Sequence, residues 1–147
     1  MKIIVTDRFG IEAGIQIQNA YVVISIHDPS RSPANVPRQA NLRDVLVLSF
    51  NDADPAAYAT EGGPPDVQPM TSEQAARVWD FVDRHRSEIE TIVVHCEGGY
   101  SRSPAVAAAI AEGLGLDHRR FLQNYMPNQH VYHTMLDAFD ARQAKQE

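Results

Sequence analysis

Four short apolar runs, residues 3–6, 21–26, 45–50 and 91–95, are each bounded by polar or turn-forming residues and read as strands. The last three are rich in Val, Ile and Leu with little alternation, as expected of strands covered on both faces. Residues 9–18 are broken by Gly10 and Gly14, and a loop and a short helix fit them equally. From Thr71 the period changes. Ala75, Val78, Trp79, Val82 and Ile89 fall at mostly helical spacing, while Arg77, Asp80, Asp83, Arg84 and Arg86 form a solvated face. Thr71 suits the N-cap, with Gln74 as its capping-box partner. A second helix is expected from about Ser103, with Pro104 at its first position, small residues over 105–111 and stop signals at Gly113 and Gly115. A third segment over 117–125 ends before Pro127. The last helix runs over about 128–144, with Val131, Met135, Leu136 and Phe139 on one face.

Two Pro-rich stretches, 28–37 and 54–69, separate these elements. The second contains Gly62-Gly63-Pro64-Pro65 and is too punctuated for regular structure. No repeat and no domain boundary is visible, so residues 1–147 read as one domain. Strands alternating with helices indicate an α/β fold with a mainly parallel sheet. Ligands of such sheets bind beyond the carboxyl ends of the strands. Cys96, His27-Asp28 and Asn51-Asp52 all stand at such ends.

Composition narrows the function. A chain of 147 residues can bury a sizeable core. A net charge of -6 argues against a general nucleic-acid binder, which needs a basic excess to neutralise phosphates. One cysteine excludes an intramolecular disulfide and suits a reducing compartment. No apolar run approaches the roughly 20 residues that span a bilayer. The apolar stretch within residues 1–7 is too short for a signal peptide. The expectation is a cytoplasmic monomer that binds neither nucleic acid nor membrane.

That single cysteine lies in His95-Cys96-Glu97-Gly98-Gly99-Tyr100-Ser101-Arg102-Ser103, between a strand and a helix. Such a loop can turn its backbone N–H groups around an anion, with the helix N-terminus beneath it. This setting favours thiolate over thiol. Arg102 can grip two phosphate oxygens with its planar guanidinium and, with the N–H groups of residues 97–102, stabilise transition-state charge. Gly98 and Gly99 permit a tight, partly left-handed backbone. Ser103 can donate a hydrogen bond to the sulfur. His95 is expected to brace the loop rather than act as a base, and Glu97 to point away from the phosphate. Tyr100 fits either a pocket mouth or an idle exposed position.

His-Cys, five residues, Arg, Ser resembles the signature of the cysteine-based protein tyrosine phosphatases. The run Gly99-Tyr100-Ser101-Arg102-Ser103-Pro104 is most similar to dual-specificity members and their small prokaryotic relatives. Pro127-Asn128 resembles a Pro-Asn pair of that family. The resemblance implies a four- or five-stranded, mainly parallel sheet flanked by helices, no cofactor and no metal, and a phosphocysteine intermediate. It implies a phosphorylated protein as partner and substrate. It also implies an aspartate acid upstream of the cysteine. Asp52 follows a strand directly, which puts it on the rim with Cys96, and its Asn-Asp pair is similar to the dual-specificity pattern. Its spacing of 44 residues is long for the family, which an enlarged 54–69 loop accounts for. Asp54 and Asp66 are the alternatives. Asp66, 30 residues before Cys96, fits the spacing better but has no strand to hold it.

Other groups receive lesser roles. His27-Asp28 at a strand end could touch substrate, and Arg31 and Arg38 could meet a second anionic group, but a solvated surface is the default reading of each. His130 and His133 sit three apart on a helix but lack a nearby third ligand for a metal. Competing readings are a phosphatase of phosphoinositides, RNA 5′-phosphates or small esters, and a non-catalytic phosphate-binding module.

Overall fold

The computed structural model describes residues 1–58 and 66–146. In chain order it contains β1 (Lys2–Thr6), α1 (Arg8–Ala13), β2 (Tyr21–His27), β3 (Leu42–Ser49), a 3-10 turn (Pro55–Tyr58), α2 (Ser72–His85), β4 (Thr91–His95), α3 (Arg102–Gly113), α4 (Arg119–Gln123) and α5 (Gln129–Gln146). The strands form one sheet in the order β1-β4-β2-β3, and every pairing is parallel. The α/β expectation therefore holds, with four strands.

The unbroken apolar runs of β2 and β4 make them the central pair, and every residue in both is buried. One face of the sheet, carrying Val22, Ile24, Ile26, Ile92, Val94 and Cys96, packs on apolar residues of α2, α3 and α5. The other, carrying Tyr21, Val23 and Val93, is covered by Ile11 of α1 and by irregular chain around Ile15, Ile17, Ala34 and Val36. Residues 105–111 of α3 are all buried, and their small size lets the helix approach its neighbours closely. Trp79 locks α2 to α5. Its Nε1–H donates to the Met135 carbonyl at 2.9 Å, and its ring lies 4.9 Å from that of Phe139.

Several expectations need correction. β3 begins at Leu42 and ends at Ser49, and it is an edge strand with Val47 40 % exposed. An apolar run does not reveal whether a second neighbour will pair with it. A register irregularity opposite Tyr21/Val22 brings Leu42 and Val45 onto the same face. Residues 9–18 resolve into α1 followed by irregular chain. Asp7 caps the helix by accepting the Gly10 N–H at 2.6 Å, and Gly14 ends it at φ 92°. The 117–125 segment shrinks to the five residues of α4. A 3-10 turn interrupts the 54–69 stretch, whose Gly62-Gly63-Pro64-Pro65 lies outside the described residues.

α3 starts at Arg102, so Pro104 is its third residue rather than its first. The missing N–H still costs nothing there, because the first four N–H groups of a helix have no intrahelical partner. The capping box of α2 forms as the sequence indicates. Thr71 Oγ1 accepts the Gln74 N–H at 3.1 Å, and Gln74 Oε1 accepts the Thr71 N–H at 3.0 Å. Among the described residues, no helix is long and apolar enough to cross a membrane.

Because all four strands run the same way, their carboxyl ends share one rim. Thr6-Asp7, His27-Asp28, Phe50 to Asp52 and Cys96 are gathered there.

Candidate active site

Cys96 leaves β4 on the face covered by α3, and is 2 % exposed. Its Sγ accepts the Gly99 N–H at 3.2 Å and lies 3.1 Å from Ser103 Oγ, whose hydroxyl donates when the sulfur is a thiolate. Among the described residues, the backbone N–H groups of Glu97, Gly98, Tyr100, Ser101 and Arg102 make no hydrogen bond. They are the donors of an anion-binding nest. Gly99 has φ +75°, and a Cβ there would stand 3.0 Å from the Asp7 nitrogen and the Thr6 carbonyl carbon. It must therefore be glycine, both for its conformation and for the close approach of β1. Of the glycine pair, only Gly99 is left-handed; Gly98 is not. The Tyr100 ring lies across it, 2.5 Å from where a Cβ would be, so a side chain there would have to displace that exposed ring. Tyr100 itself is 60 % exposed.

Arg102 opens α3 and is almost wholly buried. Its Nη1 donates to Asp28 Oδ1 at 2.7 Å and to the Phe50 carbonyl at 2.8 Å. Nε is buried and has no partner among the described residues. An unpaired buried donor on a cation costs several kcal/mol at most sites. The guanidinium is thus braced through one nitrogen, while Nε is left to meet an oxyanion.

His95 pairs in register with Ser25 of β2, so both side chains lie on the α1 face of the sheet. His95 Nδ1 is 3.2 Å from the Cys96 carbonyl, which can only accept, so the proton sits on Nδ1. Nε2 then accepts from Ser25 Oγ at 2.6 Å. His95 braces the backbone of the nucleophile. Burial pushes its pKa below the ordinary 6.5. Below that pH the unfolded chain takes up a proton that the folded one refuses, so stability falls as the pH drops below about 6.5. Urea unfolding of the wild type should show a slope of up to about 1.4 kcal/mol per pH unit from this residue. His95→Gln should flatten it; equal slopes in the two proteins would count against a neutral His95.

Asp52 follows β3 and reaches the loop. Its Oδ1 accepts from Ser101 Oγ and from Asn128 Nδ2, each at 2.8 Å. Oδ2 is left as the oxygen from which a proton can pass. Asp54 instead caps the 3-10 turn, accepting the Ala56 N–H at 3.1 Å. Asp66 is exposed in a turn and makes no hydrogen bond among the described residues. The geometry brings Asp52, and neither alternative, into contact with the cysteine loop.

The Glu97 carboxylate turns away from the nest. It is held by Arg8 at 3.2 Å, by Arg31 at 2.7 Å and by the Asp28 N–H at 3.2 Å. Arg31 is therefore engaged with Glu97 rather than offered to a second anion. Arg38 borders a recess beside Leu42, at the opposite end of β3 from the rim. His27 Nδ1 bonds the carbonyls of Asp28 and Arg31, at 2.8 and 2.9 Å, and so shapes its own loop. His130 Nε2 bonds the Met70 carbonyl at 2.8 Å, while His133 lies against Tyr132.

No protein-family model and no curated protein matches the sequence. Solved structures do match. The human tyrosine phosphatase-like serine/threonine/tyrosine-interacting protein is 22 % identical, with a TM-score of 0.55 over 86 % of this chain and 80 % of that one. PTPMT1 in complex with PI(5)P is 14 % identical, with a TM-score of 0.59 over 99 % and 95 %. Tk-PTP in its active form is 14 % identical, with a TM-score of 0.52 over 97 % and 93 %. The chain has the cysteine-based tyrosine phosphatase fold.

Within this phosphatase fold, the sequence names the loop residues but not what holds them. Asp28 is placed on the rim, but its role as the partner of Arg102 has no sequence signal. Asn128 shows only as half of a Pro-Asn pair. In space its N–H donates to the Ser101 carbonyl at 3.1 Å, its Nδ2 bonds Asp52 and the Ala53 carbonyl, and its Oδ1 accepts the Val131 N–H at 3.0 Å. One side chain thus ties the Asp52 loop and the cap of α5 together while its backbone ties the cysteine loop. Arg8, whose N–H also donates to the Glu97 carbonyl at 3.2 Å, is a further brace that no motif announces.

Proposed function

We propose that this chain hydrolyses phosphate monoesters on proteins, phosphotyrosine foremost and phosphoserine and phosphothreonine with it, through a phosphocysteine intermediate. The observation that carries the reading is the Cys96 sulfur held by two donors at the mouth of a nest of free N–H groups that ends in Arg102. The Cys96 thiolate attacks phosphorus, forming an S–P bond as the P–O bond to the leaving group breaks. Asp52 gives its proton to that oxygen. Water then attacks phosphorus and returns a proton to Asp52. The S–P bond breaks, and Ser103 donates a hydrogen bond to the departing thiolate. Throughout, Arg102 and the N–H groups hold the phosphoryl oxygens.

The charge of the site supports a protein substrate. Residues 97–103 carry one cation, Arg102, and the two nearest arginines, Arg8 and Arg31, are spent on Glu97. With Glu12 also on Arg8, these guanidiniums are matched by carboxylates, so a headgroup bearing further phosphates meets little net positive charge there. PTPMT1, whose structure holds PI(5)P, makes phosphoinositides the second reading. Phosphotyrosine peptides, phosphoserine peptides, soluble phosphoinositides and nucleotides should be compared by kcat/KM. The expectation is a lead of about tenfold or more, some 1.4 kcal/mol, for phosphotyrosine peptides. A lead for phosphoinositides overturns the protein reading.

Asp52→Asn should lower kcat on phenyl phosphate about 10²–10⁴-fold, because phenoxide leaves poorly without a proton. On p-nitrophenyl phosphate, whose leaving group needs little help, the loss should be far smaller. Should Asp66→Asn give this pattern and Asp52→Asn not, the acid is Asp66.

A further inference from the structure

Five large apolar side chains are well exposed among the described residues, and three of them crowd the cysteine loop: Phe9 at 82 %, Met126 at 78 % and Tyr100 at 60 %. The remaining two, Met1 and Val47, lie at the chain start and on the edge strand. Phe9 is carried to the loop by its neighbours. Arg8 donates its N–H to the Glu97 carbonyl, and the backbone at Thr6 and Asp7 abuts Gly99. Met126 arrives from the other side, its N–H donating to the Tyr100 carbonyl at 3.0 Å. Single exposed apolar residues are ordinary, but a group bordering one pocket marks an interaction surface.

The surrounding charges are paired. Arg31 holds Glu97, Arg8 is shared between Glu97 and Glu12, and Arg102 holds Asp28, three cations against three carboxylates. The border therefore offers hydrocarbon and little net charge, which suits neither an acidic peptide nor an anionic bilayer.

Building on the protein reading above, we propose that Phe9 and Met126 are specificity-determining residues that receive large apolar side chains flanking the phosphorylated residue of a protein substrate. Both lie outside the cysteine loop and are solvent-facing, so their replacement leaves the nest and the core intact.

The test compares wild type with the double variant Phe9→Ser, Met126→Ser on phosphotyrosine peptides flanked by Leu and Phe, by Ser and Gly, or by Asp and Glu. p-Nitrophenyl phosphate reports the intact chemistry. Wild type should prefer apolar flanks. The double variant should lose about tenfold in kcat/KM on those peptides, mostly through KM, and stay within about twofold on p-nitrophenyl phosphate. Equal rates on all three peptide sets, or an unchanged double variant, overturns this inference while leaving the phosphatase reading standing. So does a loss confined to phosphatidylcholine vesicles carrying a phosphatidylinositol monophosphate, which makes the surface a membrane contact. Wild type inert on p-nitrophenyl phosphate overturns the phosphatase reading as well.

Discussion

Cys96→Ser is expected to lower kcat by about 10⁴-fold or more, the scale seen when other covalent hydrolases lose their nucleophile. A serine hydroxyl at neutral pH is a poor nucleophile, and among the described residues no basic side chain bonds the atom at this position. His95 is turned to the Cys96 carbonyl and Ser25, and its Nε2 lone pair is already used. In the proposed mechanism the attacking sulfur is held by the Gly99 N–H and the Ser103 hydroxyl, beside the start of α3. The serine oxygen can keep the same two donors, so the nest should stay formed and inorganic phosphate should still bind as a competitive inhibitor. Phosphate binding by the variant, read by calorimetry, separates lost chemistry from a collapsed loop. Activity within tenfold of wild type would falsify the phosphocysteine intermediate.

Arg102→Lys is expected to cost about 10³–10⁵-fold in kcat/KM, the range over which a transition-state arginine acts in phosphoryl transfer. Lysine keeps the charge but not the fork. Arg102 spends Nη1 on Asp28 and on the Phe50 carbonyl, and still presents a buried Nε without a partner. An ammonium must choose between bracing itself and holding phosphate. Choosing phosphate leaves Asp28 unpaired beside a dianion. Adding Asp28→Asn to Arg102→Lys should therefore recover part of the loss by removing that repulsion, though not the share due to bidentate geometry. A lone Arg102→Lys protein with near-wild-type kcat/KM contradicts the assignment of Arg102 as phosphate clamp. Recovery of full activity by the double variant contradicts the role given to the fork.

The site was legible to different depths in different places. Cys96, Arg102 and Ser103 sit within eight consecutive residues, and a local segment carries its own geometry: apolar strand, glycine turn, helix start. Asp52 could be placed on the rim because a strand precedes it, yet choosing it over Asp66 required seeing Ser101 and Asn128 converge on its carboxylate. Asp28 and Asn128 act across 74 and 76 residues of sequence, distances over which no local pattern extends. The misjudged edges have the same origin. Val47 looked like core because its run is apolar, but β3 has a neighbour on one side only.

What the amino-acid order alone determined is the α/β class, the apolar runs that become strands, the capped helix at Thr71 and the cysteine loop. Each of these rests on residues a few positions apart, where hydrophobic period and backbone preference decide the outcome. Tertiary structure alone decided which carboxylate meets the loop, which one braces Arg102, and that the chain at Arg8-Phe9 and at Met126 is brought up to the cysteine loop. Those are choices among many chemically equal aspartates and apolar residues, and only the parallel packing of four strand ends onto one rim distinguishes them.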